Sequence, residues 1–278
     1  MKKIMFLLAT TLIAVACNND EIVTNDDVQY VSELKLNFGG SRVTPTHNPA
    51  SGLTFAWQEG EKIIVYENAN AAAIPFRYTY HSSTNSFQPE SESYKMVAGT
   101  QYFAVKGERQ TTPTLSVEDG KTIIKMDVDR NAEGTGLPHI PMITGVFTAD
   151  AAGTVATMHH LVGVVEIPVK IADSFNKTGV YKFSLFVSGG KLAGDFTATP
   201  HVPYVNNTDE GLHTAYSEEK AYTLSTTTAT TIFIPVLPGE YTNATLNCYY
   251  SEGSSSKNVG NFTVKRGMIT KLSEVTFD

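Results

Sequence analysis

Apolar and polar residues alternate along many short segments of this chain of 278 residues. A period of two places alternate side chains on opposite faces of an extended strand, so each segment is typical of a half-buried β-strand. Clusters rich in Gly, Ser and Asn separate the segments and predict turns. Long stretches with helical spacing are lacking, and Thr, Val and Tyr are plentiful, which favours strands. The sequence therefore predicts an all-β protein.

The alternating segments also predict which side chains face the core. In VSELKLNF the inward set is Leu34, Leu36 and Phe38, and PFRYTYHS, TIIKMDVD and VYKFSLFVS divide in the same way. The segment HHLVGVVEIPVKI differs, because Val164 and Val165 are both apolar although their side chains point to opposite faces. A strand that is apolar on both faces is normally buried between two layers.

Turn clusters between many short strands are typical of β-sandwiches, with a single large barrel as the alternative. The stretch TADAAGT is the best candidate for a seam between two halves of the chain. We therefore expect two β-sandwich domains in tandem. The N-terminal domain would cover residues 30–149 and the C-terminal domain residues 150–278.

The N-terminus has the pattern of an export signal. Two lysines precede an apolar segment over residues 4–15, and Ala16 and Cys17 follow it. This predicts a secretory signal peptide over residues 1–16, whose apolar segment is too short to span a bilayer. The cysteine resembles that of a bacterial lipobox, which becomes the acylated first residue of the mature protein, for example with palmitate. Ala14 stands where a lipobox usually has leucine, and an ordinary signal peptide with an incidental cysteine is the alternative.

Residues 17–29 are rich in Asn and Asp and form an acidic tether. This tether resembles the tract that sends lipoproteins of Bacteroides-like bacteria to the cell surface. A disordered spacer has the same composition, so both interpretations stay open. Together with an acylated Cys17, the tether predicts a lipid-anchored precursor at the cell outer membrane.

The sequence contains no recognisable set of catalytic or metal-binding residues. His159 and His160 are adjacent on a predicted strand, so their side chains point to opposite faces and cannot share one metal. Asp127 and Asp129 point to the same face of one predicted strand. This arrangement is compatible with a cation site and with an ordinary solvated strand face. No metal-binding spacing or nucleophile elbow occurs, and Cys248 is expected to be a small core residue. We expect no enzyme activity, metal or cofactor, with a hydrolase as a further hypothesis. The formal net charge of −7 argues against binding of nucleic acid.

One segment resembles a known protein family. TFAWQEGEKIIVYENA, residues 54–69, contains the sole tryptophan, Trp57. It resembles the W-x-x-G-D/E-x-I-x-V-Y segment of the fimbrillin family, the pilus subunits of Bacteroides-like bacteria. In the same order as in that family, similar segments are SRVT, MHHLVGVVEIPV, GGKLAGDFT, IPVLPGEY and VKRGMITKLSEVTF. Both the family and the residue type indicate that Trp57 is a core anchor where a strand enters a sandwich.

The resemblance implies two transthyretin-like β-sandwich domains, made as a lipoprotein and exported to the outer surface. In polymerising members an arginine-specific protease removes the first strand, and a strand of another subunit then fills the groove. Here the strand with Leu34, Leu36 and Phe38 is followed by GGSR, so the Arg42–Val43 bond is the candidate cleavage site. The expected partners are other fimbrial subunits, in a homopolymer or a heteropolymer, and the outer membrane through a lipid anchor.

The role within a fimbria stays open. The C-terminal ITKLSEVTF could donate a strand, but Lys271 and Ser273 interrupt its apolar face, so a stalk, a tip, an anchor and an uncut surface subunit are all compatible with the sequence. The alternative function is that of an uncut surface lipoprotein that binds glycans or host ligands. Tyr204 and Tyr216 are its candidate contact residues, with packing of these loops as the other interpretation.

Overall fold

The computed structural model describes residues 28–38, 43–48, 52–55, 57–72, 74–106, 114–119, 121–128, 140–201, 205–207, 212–217 and 219–278. In these residues the regular elements are strands, and none is a helix. The prediction of an all-β protein is therefore confirmed. A search of the same residues finds no helical segment with the length and apolarity needed to cross a bilayer.

The strands of the first half are β1 (Tyr30–Val31), β2 (Leu34–Phe38), β3 (Val43–Asn48), β4 (Gly52–Phe55), β5 (Lys62–Glu67), β6 (Phe76–His81), β7 (Ser86–Pro89), β8 (Met96–Val97), β9 (Gln101–Lys106), β10 (Thr114–Glu118), β11 (Lys121–Val128), β12 (Met142–Thr144) and β13 (Phe147–Thr148). Those of the second half are β14 (Thr154–His160), β15 (Gly163–Ile171), β16 (Lys182–Phe186), β17 (Gly194–Ala198), β18 (Val205–Asn207), β19 (Thr214–Tyr216), β20 (Thr230–Val236), β21 (Gly239–Tyr250), β22 (Gly253–Val264), β23 (Ile269–Lys271) and β24 (Val275–Phe277).

The largest sheet closes on itself. Its strand order is β12-β14-β2-β7-β6-β5-β9-β13, and β12 pairs with β9 as well as with β14. The strands from β12 round to β9 thus form a closed ring, called the N-terminal ring below. Strand β14 follows the expected division at residues 149/150, yet it is hydrogen-bonded within this ring. The division itself stays a prediction.

Among the described residues, the other sheets are two two-stranded pairs, β1-β8 and β3-β4, and three four-stranded sheets. Two of the four-stranded sheets come from the second half: β15 with β20, β23 and β24, and β19-β16-β21-β22. The third joins the hairpin β10–β11 of the first half to β17 and β18 of the second. Backbone pairing therefore links the two halves of the chain directly.

Two hydrophobic cores share one wall. Inside the N-terminal ring, Val65 and Ala104 belong to the first core, whereas the adjacent Tyr66 and Phe103 belong to the core of the second half. Successive residues of a strand point to opposite faces, so β5 and β9 are buried on both sides. Strand β12 behaves in the same way, since Met142 faces one core and Ile143 the other.

The structure also divides one segment that the sequence presents as continuous. HHLVGVVEIPVKI contains the end of β14 and the whole of β15, and these strands lie in different sheets. Leu161 and Val162 form the bend between them and are both buried. The prediction of a strand buried on both faces is nevertheless confirmed for β15, where Val164 and Val165 are almost fully covered.

Candidate functional site

Strand β2, the candidate exchanged strand, is an internal strand of the N-terminal ring. It pairs with β14 in parallel over its whole length, from Leu34 opposite Thr154 to Phe38 opposite Met158. On its other side it pairs with β7 in an antiparallel arrangement, where Leu34 lies opposite Phe87. Removal of β2 would therefore open the ring between β14 and β7.

The side chains of β2 follow the predicted alternation. Leu34 is 0% exposed and Leu36 is 8% exposed, whereas Lys35 and Asn37 face solvent. Both leucines belong to the core inside the ring, and the partly buried Phe38 packs against that core. The prediction that these three side chains form the inward set is confirmed.

Trp57 holds the C-terminal end of β2 in place. Its indole Nε1 donates a hydrogen bond to the carbonyl oxygen of Leu36 at 3.2 Å. Its ring stacks on that of Phe38, with centroids 4.9 Å apart and planes 25° apart. It also meets the edge of Phe87 at 4.8 Å. Such aromatic pairs add specific attraction to simple burial, so Trp57 is both a core anchor and a direct contact of β2.

His160 is a second ring neighbour of Phe38. Their rings are nearly parallel, with an angle of 6° and a centroid distance of 6.5 Å. Burial lowers the pKa of His160 to about 4, and the nearby cation of Lys106 contributes to the decrease. The imidazole is therefore neutral at physiological pH. Strands β14 and β7, together with Trp57 and His160, are called the β2 seat below.

A partly buried cation sits beside this seat. The ammonium group of Lys106 lies 5.0 Å from the centroid of the Trp57 ring, within the range of a cation–π contact. The same group forms an ion pair with Glu61. Both charged side chains are about a fifth to a quarter exposed, so they are partly shielded from water. The contact orients the indole that binds Leu36.

The residues predicted for processing and lipidation lie mostly outside the described part of the chain. Cys17 and Arg42 are not among the described residues. Val43 begins β3, which pairs with β4 in a separate two-stranded sheet. Acylation of Cys17 and cleavage of the Arg42–Val43 bond therefore stay predictions.

The other residues singled out in the sequence are dispersed. Alternating burial along β14 places His159 and His160 on opposite faces, as predicted. Asp127 lies in β11, whereas Asp129 and Tyr204 are outside the described residues. Cys248 is a free thiol buried in the core, and burial raises its pKa to about 12. Where the structure describes the chain, no group of three or more His, Cys, Asp or Glu side chains could hold a metal ion.

Comparison with known proteins identifies the fold. A Bacteroides ovatus protein described as a "putative cell adhesion protein" superposes with a TM-score of 0.61 at 13% identity, over 90% of this chain and 93% of the other. A Bacteroides uniformis protein of the same description has a TM-score of 0.51 at 14% identity, over 88% and 92%. This chain shares their fold. A fimbrial protein of Bacteroides vulgatus also matches, with a TM-score of 0.45 at 9% identity over 89% and 94%.

The shared fold agrees with the resemblance to fimbrillins that the sequence motifs indicate. Superposition extends over nearly the whole of both adhesion-type chains, as the ordered motifs do in the sequence. At these identities the similarity concerns the fold alone. No protein-family model matches the sequence, and no curated protein matches it.

Sequence reasoning missed how Trp57 and His160 contact β2 and that Lys106 lies beside them. Trp57 was expected in the core, but its hydrogen bond to Leu36, 21 positions away, depends on how β2 is placed in the ring. His160 and Lys106 come from β14 and β9, and the closure of the ring brings both strands to β12. The one available signal was His160 itself, since a histidine at an inward position of a strand requires a specific environment.

Proposed function

We propose that this protein is an adhesive subunit of a cell-surface fimbria and that it assembles by strand exchange at the β2 seat. The observation that carries the proposal is the position of β2, an internal strand of a closed ring with an alternating buried face. A strand of another subunit with the same alternation could occupy this position. Such replacement is a form of β-strand addition.

Loss of β2 would leave a folded state that favours insertion of another strand at the same position. Burial of one leucine side chain contributes about 1.5–3 kcal/mol, so Leu34 and Leu36 together contribute about 3–6 kcal/mol. A whole folded domain is stable by only about 5–15 kcal/mol. Strand β14 would also lose its partner along Thr154–Met158, leaving unpaired backbone groups at a sheet edge. An incoming strand would restore both the burial and the pairing.

Cleavage after Arg42 is the proposed trigger. It would separate β1 and β2 from the remainder of the chain. Strand β1 contributes the pairs Tyr30–Val97 and Val31–Met96 and the buried side chain of Val31. The sequence places two glycines, at positions 39 and 40, just before Arg42, and segments of small residues are preferred sites of proteolytic cleavage. Lipidation at Cys17 would keep the uncut precursor on the outer membrane until that step.

The C-terminal strands favour a subunit that receives a strand over one that donates its own. Strands β23 and β24 pair with β15 of the same chain. Val275 and Phe277 are buried in the core of the second half, so donation of β24 would uncover both. We therefore place this protein at an end of the fimbria, as a tip or anchor subunit, rather than in the repeating stalk.

Limited proteolysis tests strand exchange. The purified full-length protein is treated with an arginine-specific protease, and mass spectrometry identifies preparations cut only after Arg42. We expect the cut protein to bind the apolar dye ANS and, because it receives a strand without donating its own, to stay monomeric in size-exclusion chromatography. A synthetic peptide covering residues 30–40 should bind the cut protein and reverse the dye binding, whereas the same peptide with Leu34→Lys and Leu36→Lys should do neither.

The variant Arg42→Ala is the matched control, since it should stay uncut at this position and should not gain dye binding under the same treatment. If the cut protein showed no increase in dye binding, or did not bind the residue 30–40 peptide, strand exchange at β2 would be wrong.

A further inference from the structure

The outer face of the sheet β19-β16-β21-β22 has an unusual composition for a solvent-facing surface. Register and burial place alternate residues of these strands on the outside, away from core residues such as Phe183 and Leu246. The outward residues are mostly aromatic or uncharged and polar: Thr214, Tyr216, Lys182, Ser184, Phe186, Thr245, Asn247, Tyr249, Ser254, Ser256 and Asn258. Of these, Ser184 is on the outer side by register but is itself fully buried. This set is called the outer face below.

A chain of hydrogen bonds crosses the centre of the outer face. Asn247 donates from Nδ2 to the hydroxyl of Ser184 at 3.0 Å and accepts at Oδ1 from Ser256 at 2.7 Å. The hydroxyls of Ser184 and Tyr249 lie 3.2 Å apart. Amide and hydroxyl groups in such a chain keep further donor and acceptor capacity. The buried Ser184 therefore holds Asn247 in place, and the more exposed Asn247 and Ser256 keep groups that can bind a polar ligand.

Aromatic rings border this polar centre. The ammonium group of Lys182 lies 5.0 Å from the ring centroid of Tyr216 and 5.7 Å from that of Tyr249. Tyr181 flanks Tyr249, with centroids 6.4 Å apart. Phe186, on the same face, is 41% exposed. The cation–π contacts hold the two tyrosines in defined positions, which lowers the entropy cost of binding.

The charge on the outer face is balanced. Lys182 carries the single charge among these described side chains, and its ammonium group lies 3.5 Å from a carboxylate oxygen of Glu219. The half-exposed Glu219 would repel an anionic polymer, and Lys182 would repel a cationic one. Charge complementarity therefore favours a neutral ligand.

We propose that the outer face binds a neutral saccharide. A pyranose ring has an apolar face of C–H groups that can stack on Tyr216, Tyr249 or Phe186, since aromatic side chains combine an apolar surface with a defined geometry. Its hydroxyl groups are donors and acceptors, as are the free positions of Asn247 and Ser256. A ligand of this chemistry matches both the rings and the polar centre.

This inference names a ligand class for the adhesive role proposed above, and it does not depend on strand exchange. The outer face and the β2 seat are built from different strands. The variant Tyr216→Ala should therefore still bind the residue 30–40 peptide after cleavage, and Arg42→Ala should retain saccharide binding. Failure of one proposal would leave the other to its own test.

Affinity electrophoresis of the full-length protein tests the proposal. The probes are the neutral polysaccharides mannan, xylan, glucan and galactan, with polygalacturonate as an acidic comparison. We expect at least one neutral polymer to retard the protein. Tyr216→Ala and Tyr249→Ala should each weaken that binding about tenfold or more, which corresponds to about 1.4 kcal/mol. Tyr216→Phe, which keeps the ring, should stay within about threefold of the unmodified protein.

Tyr30→Ala is the matched control, because Tyr30 is 55% exposed and lies in β1, outside the outer face. Thermal unfolding verifies that each variant is folded, and Tyr216→Ala alone decides the test if Tyr249→Ala does not fold. Retardation by none of the neutral polymers, or by polygalacturonate alone, would overturn the proposal. So would equal binding by the unmodified protein and Tyr216→Ala, or self-association through this face without saccharide binding.

Discussion

The variant His160→Gln should remove a pH-dependent part of the stability of this protein. His160 is 4% exposed and stacks on Phe38 of β2. Burial, together with the charge of Lys106 and the neighbouring His159, lowers its pKa to about 4. In the unfolded chain the imidazole titrates near its ordinary value of about 6.5.

The sign and size of the effect follow from these two values. Between pH 6.5 and 4 the unfolded chain binds a proton at this position that the folded protein does not bind. The stability contribution of the neutral imidazole is thus fully present above pH 6.5 and is lost as the pH falls towards 4. Each unit of pKa difference corresponds to about 1.4 kcal/mol, so the full loss is about 3 kcal/mol. By pH 5 the expected loss is about 2 kcal/mol.

Urea denaturation at pH 7.5, 6.5, 5.8 and 5.0 measures this pH-dependent contribution of His160 to the free energy of unfolding. The free energy of unfolding of the unmodified protein should fall across the series, and that of His160→Gln should fall less, with a difference of about 2 kcal/mol at pH 5. His213→Gln, on the exposed side of the C-terminal half, controls for the loss of a histidine in general. Parallel pH profiles for the unmodified protein and His160→Gln would show that the imidazole is not buried against β2, and would refute this explanation.

Two further pairs of variants test packing by the free energy of unfolding. Leu34→Ala should lower the free energy of unfolding by about 2–5 kcal/mol because it leaves a cavity in the ring. Lys35→Ala, at the next and exposed position, should change it by less than about 0.5 kcal/mol. Similar losses for the two variants would contradict the burial of Leu34. Gly163→Ala should cost about 1–3 kcal/mol, since its Cβ would lie 2.4 Å from a valine side-chain carbon and 2.6 Å from a backbone oxygen. Gly189→Ala, whose Cβ has no neighbour within 4 Å, should have little effect, and equal stability of the two glycine variants would contradict the close approach.

Local alternation was sufficient to predict the strands with one buried face. Leu34 and Leu36 in β2, and Phe183 and Leu185 in β16, are buried as their spacing indicates. Burial of one face imposes a period of two because the pleat sends successive side chains to opposite sides. Such information lies within five or six neighbouring residues, and so it can be read from the sequence alone.

The partners of each strand could not be predicted in the same way. The pairing of β11 with β17 joins residues about seventy positions apart, as Met126 opposite Phe196 shows. The parallel pairing of β2 with β14 joins Leu34 to Thr154. None of these four strands has a residue pattern that specifies its neighbour, because each pairing needs only an apolar face and free backbone groups. The β2 seat depends on the pairing of β2 with β14 and therefore could not be predicted from the sequence.

The shared wall determines what strand exchange would disturb. Strands β5, β9 and β12 contribute to both cores, whereas β2, β6, β7 and β14 contribute only to the core inside the ring among the described residues. Opening the ring at β2 would therefore uncover the first core on the side away from the wall. The second core, with Phe183 and Leu246 beneath the outer face, contains no side chain of β2. A surface supported by that core can keep its geometry while β2 is replaced, so assembly and saccharide binding are compatible in one subunit.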